Sequence, residues 1–280
     1  MSFELFRPRS LDDALALLAR HQDAHVMAGA TALVLLMRQG LVRPDRVVSL
    51  RDAGLGGIRR EPDGSLWIGA TTTIRDAETS DAVRSHSAAL AATFGDVATL
   101  RVRCQATVGG NLAHADPAQD PPPMLIALGA EVEIARAGGA RRSMAVEAFL
   151  VDQFTTALDP GELLVGVRVP AVPPGTRATY VKFLPKTADD YATVSVAAAV
   201  RMDGERIADA RIALGSVGAT AVRARRTEDA LRGATVRAIG DAAALVRDEI
   251  APIDDLRGTS AYKREMARVW TERAVRSLVA

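Results

Sequence analysis

The stretch Thr107–Met124 reads "TVGGNLAHADPAQDPPPM", and its two halves disagree. The first half holds two glycines and an Asn. The second packs a His, two Asp and four Pro into eleven residues, His114 to Met124. Gly109 and Gly110 can adopt φ > 0, or they can leave the backbone bare so that another group lies against it. Thr107 and Asn111 add a hydroxyl and an amide, and Asp120 adds a carboxylate that could accept from a sugar hydroxyl. The bland alternatives are that Thr107 caps, Asn111 takes a left-handed turn and Asp120 ends a loop. His114 and Asp116 read as loop-ordering residues, because no nucleophile stands near them in the sequence.

A second small-residue turn lies upstream. "AGATA" (Ala28–Ala32) follows the short apolar run Val26–Met27 and precedes "LVLLMRQ", a helix expected to end at Gly40. Helix N-termini carry free N–H groups and the positive end of the peptide dipoles. Small side chains let an anion approach them. The turn matches neither a Walker A loop nor a G-x-G-x-x-G fingerprint, and by itself it also fits close helix–strand packing. Two such turns in one domain suit a dinucleotide whose pyrophosphate is held from both sides.

Composition narrows the class. The chain has 280 residues, 48% of them hydrophobic and 4% aromatic, so its core is built mainly from Ala, Val, Leu and Ile. Thirty-five Lys plus Arg balance 34 Asp plus Glu, which gives no electrostatic footprint for nucleic acid. No apolar run approaches the roughly 20 residues of a membrane span. "MSFELFRPRS" lacks the layout of a signal peptide, so the chain is expected in the cytoplasm. Cys104 is the single cysteine, and the four His never occur at i, i+4 or beside it. No metal site is expected in this chain, and one thiolate cannot hold an iron–sulfur cluster.

Along the chain, "SLDDALALLARH" predicts a helix capped by Ser10, and "DRVVSL" a strand. "GGIRREPDGSLWIGATTTIRDA" predicts a hairpin around Asp63-Gly64 with the Thr run extended. "AVRSHSAALAATFGDVA" predicts a helix, and "MLIALGAEVEIARAGGARRSMAVEAFL" helix, strand, turn, strand. "PAVPPG" (Pro170–Gly175) reads as a linker, dividing the chain into residues 1–174 and 175–280. Beyond it lie three strands, "RATYVKFLP", "TVSVAAAVRM" and "RIADARIALGSV". Helices follow over "RARRTEDALRG", "TVRAIGDAAALVRDEI" and "SAYKREMARVWTERAVRSL". Strands first and helices after predict an α+β domain with helices on one face of an antiparallel sheet.

The runs "AGATALVLLMRQG", "LWIGATTTIRD" and "TVGGNLAHADPAQDPPPMLIALGAEVEI" together resemble the flavin-binding subunit of the molybdenum hydroxylases. That family includes the medium subunit of aerobic carbon monoxide dehydrogenase and the flavin domain of xanthine dehydrogenase. "YVKFLPKTADDYATVSVAAAV" and "ARIALGSVGATAVRARRTEDALRG" resemble its C-terminal domain, so the likeness spans the chain. It implies an α+β architecture: a vanillyl-alcohol-oxidase (PCMH) type FAD domain, then a smaller domain of the carbon monoxide dehydrogenase flavoprotein C-terminal type. It implies FAD contacts at Ala28, Gly29, Ala30, Thr31 and Ala32, and at Thr107, Gly109, Gly110 and Asn111. Asp120 would hold the adenosine or ribityl end, Val97 and Leu164 would give apolar contacts, and Lys182 or Lys186 would lie near the flavin. The family's first turn usually reads A-G-G. Here the second glycine is Ala30, which would be strained by about 1 kcal/mol if φ > 0 is required.

The resemblance further implies an oxidoreductase subunit that acts in electron transfer and has no acid–base residues of its own. A large molybdenum subunit and a small [2Fe–2S] subunit would be its partners in a dimer of heterotrimers. Electrons would leave the flavin for NAD, a quinone or oxygen. Two rival readings remain from residues alone: a stand-alone flavin oxidoreductase of related fold, resembling UDP-N-acetylenolpyruvoylglucosamine reductase, and a scaffold subunit without flavin.

Overall fold

A computed structural model describes residues 3–184 and 190–280. The chain begins with a three-stranded parallel sheet. Glu4–Phe6 and His25–Met27 flank the central strand Arg46–Ser49, with Phe6 opposite Val48 and Met27 opposite Ser49. The helices Leu11–Arg20 and Leu33–Arg38 make the crossovers that parallel pairing requires. Ser10 caps the first by accepting from the Asp13 N–H, as expected.

A five-stranded antiparallel sheet follows, in the order Ile58–Arg60, Leu66–Gly69, Glu162–Val169, Glu131–Arg136, Arg141–Ala145. Its central strand is the apolar run before the linker, Glu162–Val169, with the predicted hairpin strand Leu66–Gly69 on one side. Gly166 lies opposite Gly69, and a Cβ at Gly166 would collide with the Trp67 ring. The Thr run is not a ladder strand. It leaves the sheet after Gly69, and its backbone pairs with residues 106–109. Ile74 donates to Ala106 O (2.8 Å) and Val108 to Thr72 O (2.9 Å), while Thr73 caps the helix Ile74–Thr79. The single helix expected over Ala82–Ala98 is two, Asp81–His86 and Ala88–Gly95. Ser87 breaks it, because its hydroxyl accepts from Leu90 N and starts the second helix.

The stretch that opened the sequence analysis is helical at both ends. Thr107 is the N-cap of the helix Val108–His114, its hydroxyl accepting from Gly110 N at 3.0 Å. The expected turn at "TVGGN" is therefore a helix start, and neither glycine has positive φ. Pro121–Ala127 is also a helix, with Asp120 at its N-cap. Prolines suit its first turn, where the N–H groups have no intrahelical partner. The proline-rich segment is thus the start of a fully buried helix, and Asp120 begins that helix rather than ending a loop.

After Val169 the chain enters a four-stranded antiparallel sheet: Thr176–Phe183, Val194–Asp203, Arg206–Gly215 and Val222–Arg223. Its second strand is buried on both faces. Val194, Val196, Ala198 and Val200 join a core with Ile212, Leu214 and the helix Ser260–Val279. The opposite face carries Ala197 and Ala213, which belong to the core of the first half. The predicted helix-covered face is there, and the other face is covered too: its alanines leave room for the helix Pro121–Ala127. The helix expected over Thr235–Ile250 is divided into the 3-10 turn Val236–Ala238, the helix Ile239–Ala244 and the 3-10 turn Leu245–Asp248. Glu228, 2% exposed, anchors this half by accepting from Ile212 N and from the Arg223 guanidinium. Among the described residues no helix is long and apolar enough to cross a membrane.

Candidate functional site

A cavity of about 940 Å³ lies where the parallel sheet, the five-stranded sheet and the first strand of the C-terminal sheet approach one another. The helix Pro121–Ala127, packed between two sheets, brings Asp120 to its wall. Ala28 to Ala32 line one side, in the bend between the strand His25–Met27 and the helix Leu33–Arg38. Thr107, Gly109, Gly110 and Asn111 line another, on the first turn of their helix. Val97, Leu164, Asp120 and Lys182 complete the set. The structure therefore gathers on one cavity all the positions singled out above except Lys186, which lies outside the described residues.

The glycines do different jobs. A Cβ on Gly29 would run into the Gln105 carbonyl, and one on Gly109 would sit 2.8 Å from the Ala70 Cα. Both are bare because backbone passes against backbone. A Cβ on Gly110 would meet Thr107 Oγ1 at 2.7 Å and come within 3.8 Å of Ala28 Cβ. It would project into the gap between the two turns, the place where a ligand would lie against both. Ala30 has φ 64°, the left-handed region in which alanine is strained. The left-handed bend that the family's glycine would serve is thus retained with alanine.

Two amides supply an independent observation. Asn111 Oδ1 and Gln119 Oε1 are buried without a hydrogen-bond partner among the described residues, and both residues line the cavity. Buried polar atoms normally find partners. Unpaired acceptors on two residues lining one cavity fit a ligand that brings hydroxyl or amino donors, as the ribityl, ribose and adenine groups of FAD do.

Electrostatics centre on Asp120. Its Oδ2 pairs with the Lys182 ammonium at 3.1 Å, and its Oδ1 accepts from the Tyr180 hydroxyl at 2.7 Å. Lys182 also donates to the Asp96 carbonyl at 2.7 Å. Burial pushes the Asp120 carboxyl up to about 6, opposed by Lys182 and the Tyr180 hydrogen bond. Burial raises the Asp96 carboxyl and lowers His114. Tyr191 is pushed up to about 12 by burial and by Asp116. Asp116 does order its loop, as its Oδ1 accepts from Ala118 N at 2.9 Å. Tyr180, Asp96 and Gln119 were not singled out from sequence. Only the strand register that sets Tyr180 two residues before Lys182, on the same face, could have pointed to the first.

Comparisons with known proteins identify the family. The family described as the FAD binding domain in molybdopterin dehydrogenase matches residues 1–172, and the CO dehydrogenase flavoprotein C-terminal domain matches residues 179–278. The chain thus belongs to the FAD-binding medium subunits of the molybdenum hydroxylase family, and it is an oxidoreductase subunit of α+β fold.

It is 36% identical over 278 residues to the carbon monoxide dehydrogenase medium chain of Afipia carboxidovorans, covering 98% of this chain and 96% of that one. It is 31% identical to the glyceraldehyde dehydrogenase medium chain of Sulfolobus acidocaldarius, covering 99% and 98%. Its fold matches a crystal structure of Cu,Mo-CO dehydrogenase in the cyanide-inactivated form with a TM-score of 0.95 at 35% identity, covering 100% and 98%. Quinoline 2-oxidoreductase from Pseudomonas putida 86 gives 0.93 at 31% identity, covering 100% and 97%.

Proposed function

We propose that FAD lies in this cavity with its diphosphate between Ala28–Ala32 and Thr107–Asn111. Support comes chiefly from the Asn111 and Gln119 acceptors, unpaired among the described residues, on two residues that line the cavity. Among the described residues lining the cavity, Lys182 is the one Lys or Arg, and it is already paired with Asp120. The diphosphate charge would therefore be met mainly by backbone N–H groups, for which small side chains are needed. Asp120 would accept from a ribityl or ribose hydroxyl, and Val97 and Leu164 would pack against the rings. Residues 1–174 would form the FAD unit and residues 175–280 the unit that closes the cavity from Tyr180 and Lys182.

The bound flavin supplies the redox chemistry, and this chain supplies binding, orientation and exclusion of water. Its single cysteine cannot ligate a [2Fe–2S] cluster. Electrons would arrive from a small iron–sulfur subunit, fed by a large molybdenum subunit, in a cytoplasmic dimer of heterotrimers. They would leave for NAD, a quinone or oxygen. The test is reconstitution. The FAD-loaded chain alone should leave its flavin oxidised with carbon monoxide, purines, aldehydes and N-heterocycles. Assembly with the molybdenum and iron–sulfur subunits should allow flavin reduction by the complex's substrate. Reduction by the chain alone would replace the relay with a self-sufficient flavoenzyme.

A further inference from the structure

The Asp120 carboxylate is held by side chains from beyond the linker. Tyr180 and Lys182 project from the same face of the strand Thr176–Phe183. They occupy Oδ1 and Oδ2 respectively. The Ser195 side chain, on the neighbouring strand, acts on the Tyr180 hydroxyl and opposes the rise that burial causes there. The cavity wall is otherwise poor in cations. Asp96 acts on Asp120 from the end of the helix Ala88–Gly95, and Tyr191 responds to both Asp116 and Asp120. Asp116, Asp190 and Glu162 line the same cavity, as do His25 and His114. One ammonium thus serves a site crowded with acids, and a second donor matters for any carboxylate that must stay charged there.

We infer that Tyr180 is a positioning residue for the flavin. Its hydroxyl donates to Asp120 Oδ1 and favours the carboxylate form that accepts from the nucleotide, so the C-terminal half sets the affinity of the nucleotide site built by the first half. This rests on the reading that FAD occupies the cavity. The phenol touches Asp120 and acts through it. Because the donor and the carboxylate come from opposite sides of the linker, flavin binding and the docking of the two halves favour each other.

The experiment is a titration of the deflavinated full chain with FAD across pH, in the wild type and in Tyr180→Phe, Ser195→Ala and Asp120→Asn. Wild-type affinity should fall as acid protonates Asp120. In Tyr180→Phe the same fall should come about one pH unit higher, since a hydrogen bond to a charged group is lost. The variant should bind about tenfold more weakly on the falling limb, yet near wild type at about pH 8.5, where the carboxylate is ionised in both. Ser195→Ala, which leaves the phenol in place, should shift the profile the same way by less, and it carries the test if Tyr180→Phe does not fold. A Tyr180→Phe profile that superimposes on the wild type overturns the inference. So does one weakened by the same factor at every pH, since that is a packing effect. Asp120→Asn separates this from the underlying reading: weaker, flatter binding is expected. Wild-type affinity and pH dependence in that variant would remove Asp120 from the flavin site and the inference with it.

Discussion

Gly109 N donates to the Ala70 carbonyl at 2.9 Å, and a Cβ on Gly109 would stand 2.5 Å from Ala70 Cβ. This contact joins the "TVGGN" helix start to the end of the strand Leu66–Gly69 and leaves no room for a methyl group. Gly109→Ala should therefore destabilise the fold by about 3 kcal/mol, read as a lowered denaturant midpoint. The neighbouring glycine should behave differently. Gly110→Val places its branches in the gap facing Ala28 and disturbs the Thr107 cap, at a cost of about 1 kcal/mol. It should retain a native circular dichroism spectrum while losing FAD. Full flavin occupancy in Gly110→Val would mean that the gap between the turns is not where the diphosphate lies.

Ala30 carries left-handed strain in the first turn. Glycine adopts φ near 64° without a Cβ clash, although it gives up more backbone entropy on folding. The strain relieved is partly offset by that entropy, so Ala30→Gly should raise stability by about 0.5 kcal/mol and keep flavin binding intact. Thermal denaturation of the deflavinated chain decides this. A lower melting temperature would show that the turn is not left-handed in solution.

The two small-residue turns and many of the helices and strands could be read from the sequence because their signals are local, whereas the type of FAD domain and the places of Val97, Leu164 and Lys182 came only with the family resemblance. Ser10 before an apolar helical period, Asp63-Gly64 between two strands and small residues at strand–helix junctions each act within a few positions. Gly109 and Gly110 are alike in sequence, and only the passage of Ala70 against one of them separates their roles. The contributions of Tyr180, Asp96 and Gln119 come from strand register and from the packing of the Pro121–Ala127 helix between two sheets. No short-range pattern records these. The helix breaks at Ser87 and around Ile239 were hidden for the opposite reason: the apolar period runs on while a local cap or a change of helical pitch interrupts the ladder.

FAD should be held without a covalent bond. Cys104 is exposed and does not line the cavity, and His114, which does, packs its ring against Phe154 at 5.2 Å. Acid precipitation of the flavin-loaded chain should leave the yellow colour in the supernatant. Colour retained by the pellet in the wild type but not in His114→Ala would instead identify an attachment at His114.

The pH response of the deflavinated chain should run opposite to that of flavin binding. Asp120 rises from 3.8 to about 6 on folding, with burial the largest cause, so the folded state takes up its proton more readily than the unfolded state does. A raised folded value means that this group's stabilising contribution is complete below about 4 and is lost as pH rises through about 6. The difference of about two units corresponds to roughly 3 kcal/mol as an upper bound. Other acids titrate in the same range, so the quantity to measure is the unfolding free energy of the wild type minus that of Asp120→Asn. That difference should move in favour of the wild type by up to about 3 kcal/mol between about pH 7.5 and pH 4. FAD should reverse the trend, because a carboxylate that accepts from a flavin hydroxyl is needed in its ionised form. A wild-type minus Asp120→Asn difference that stays flat across this interval would show that Asp120 ionises in the folded chain as it does in water, and that burial does not govern its charge.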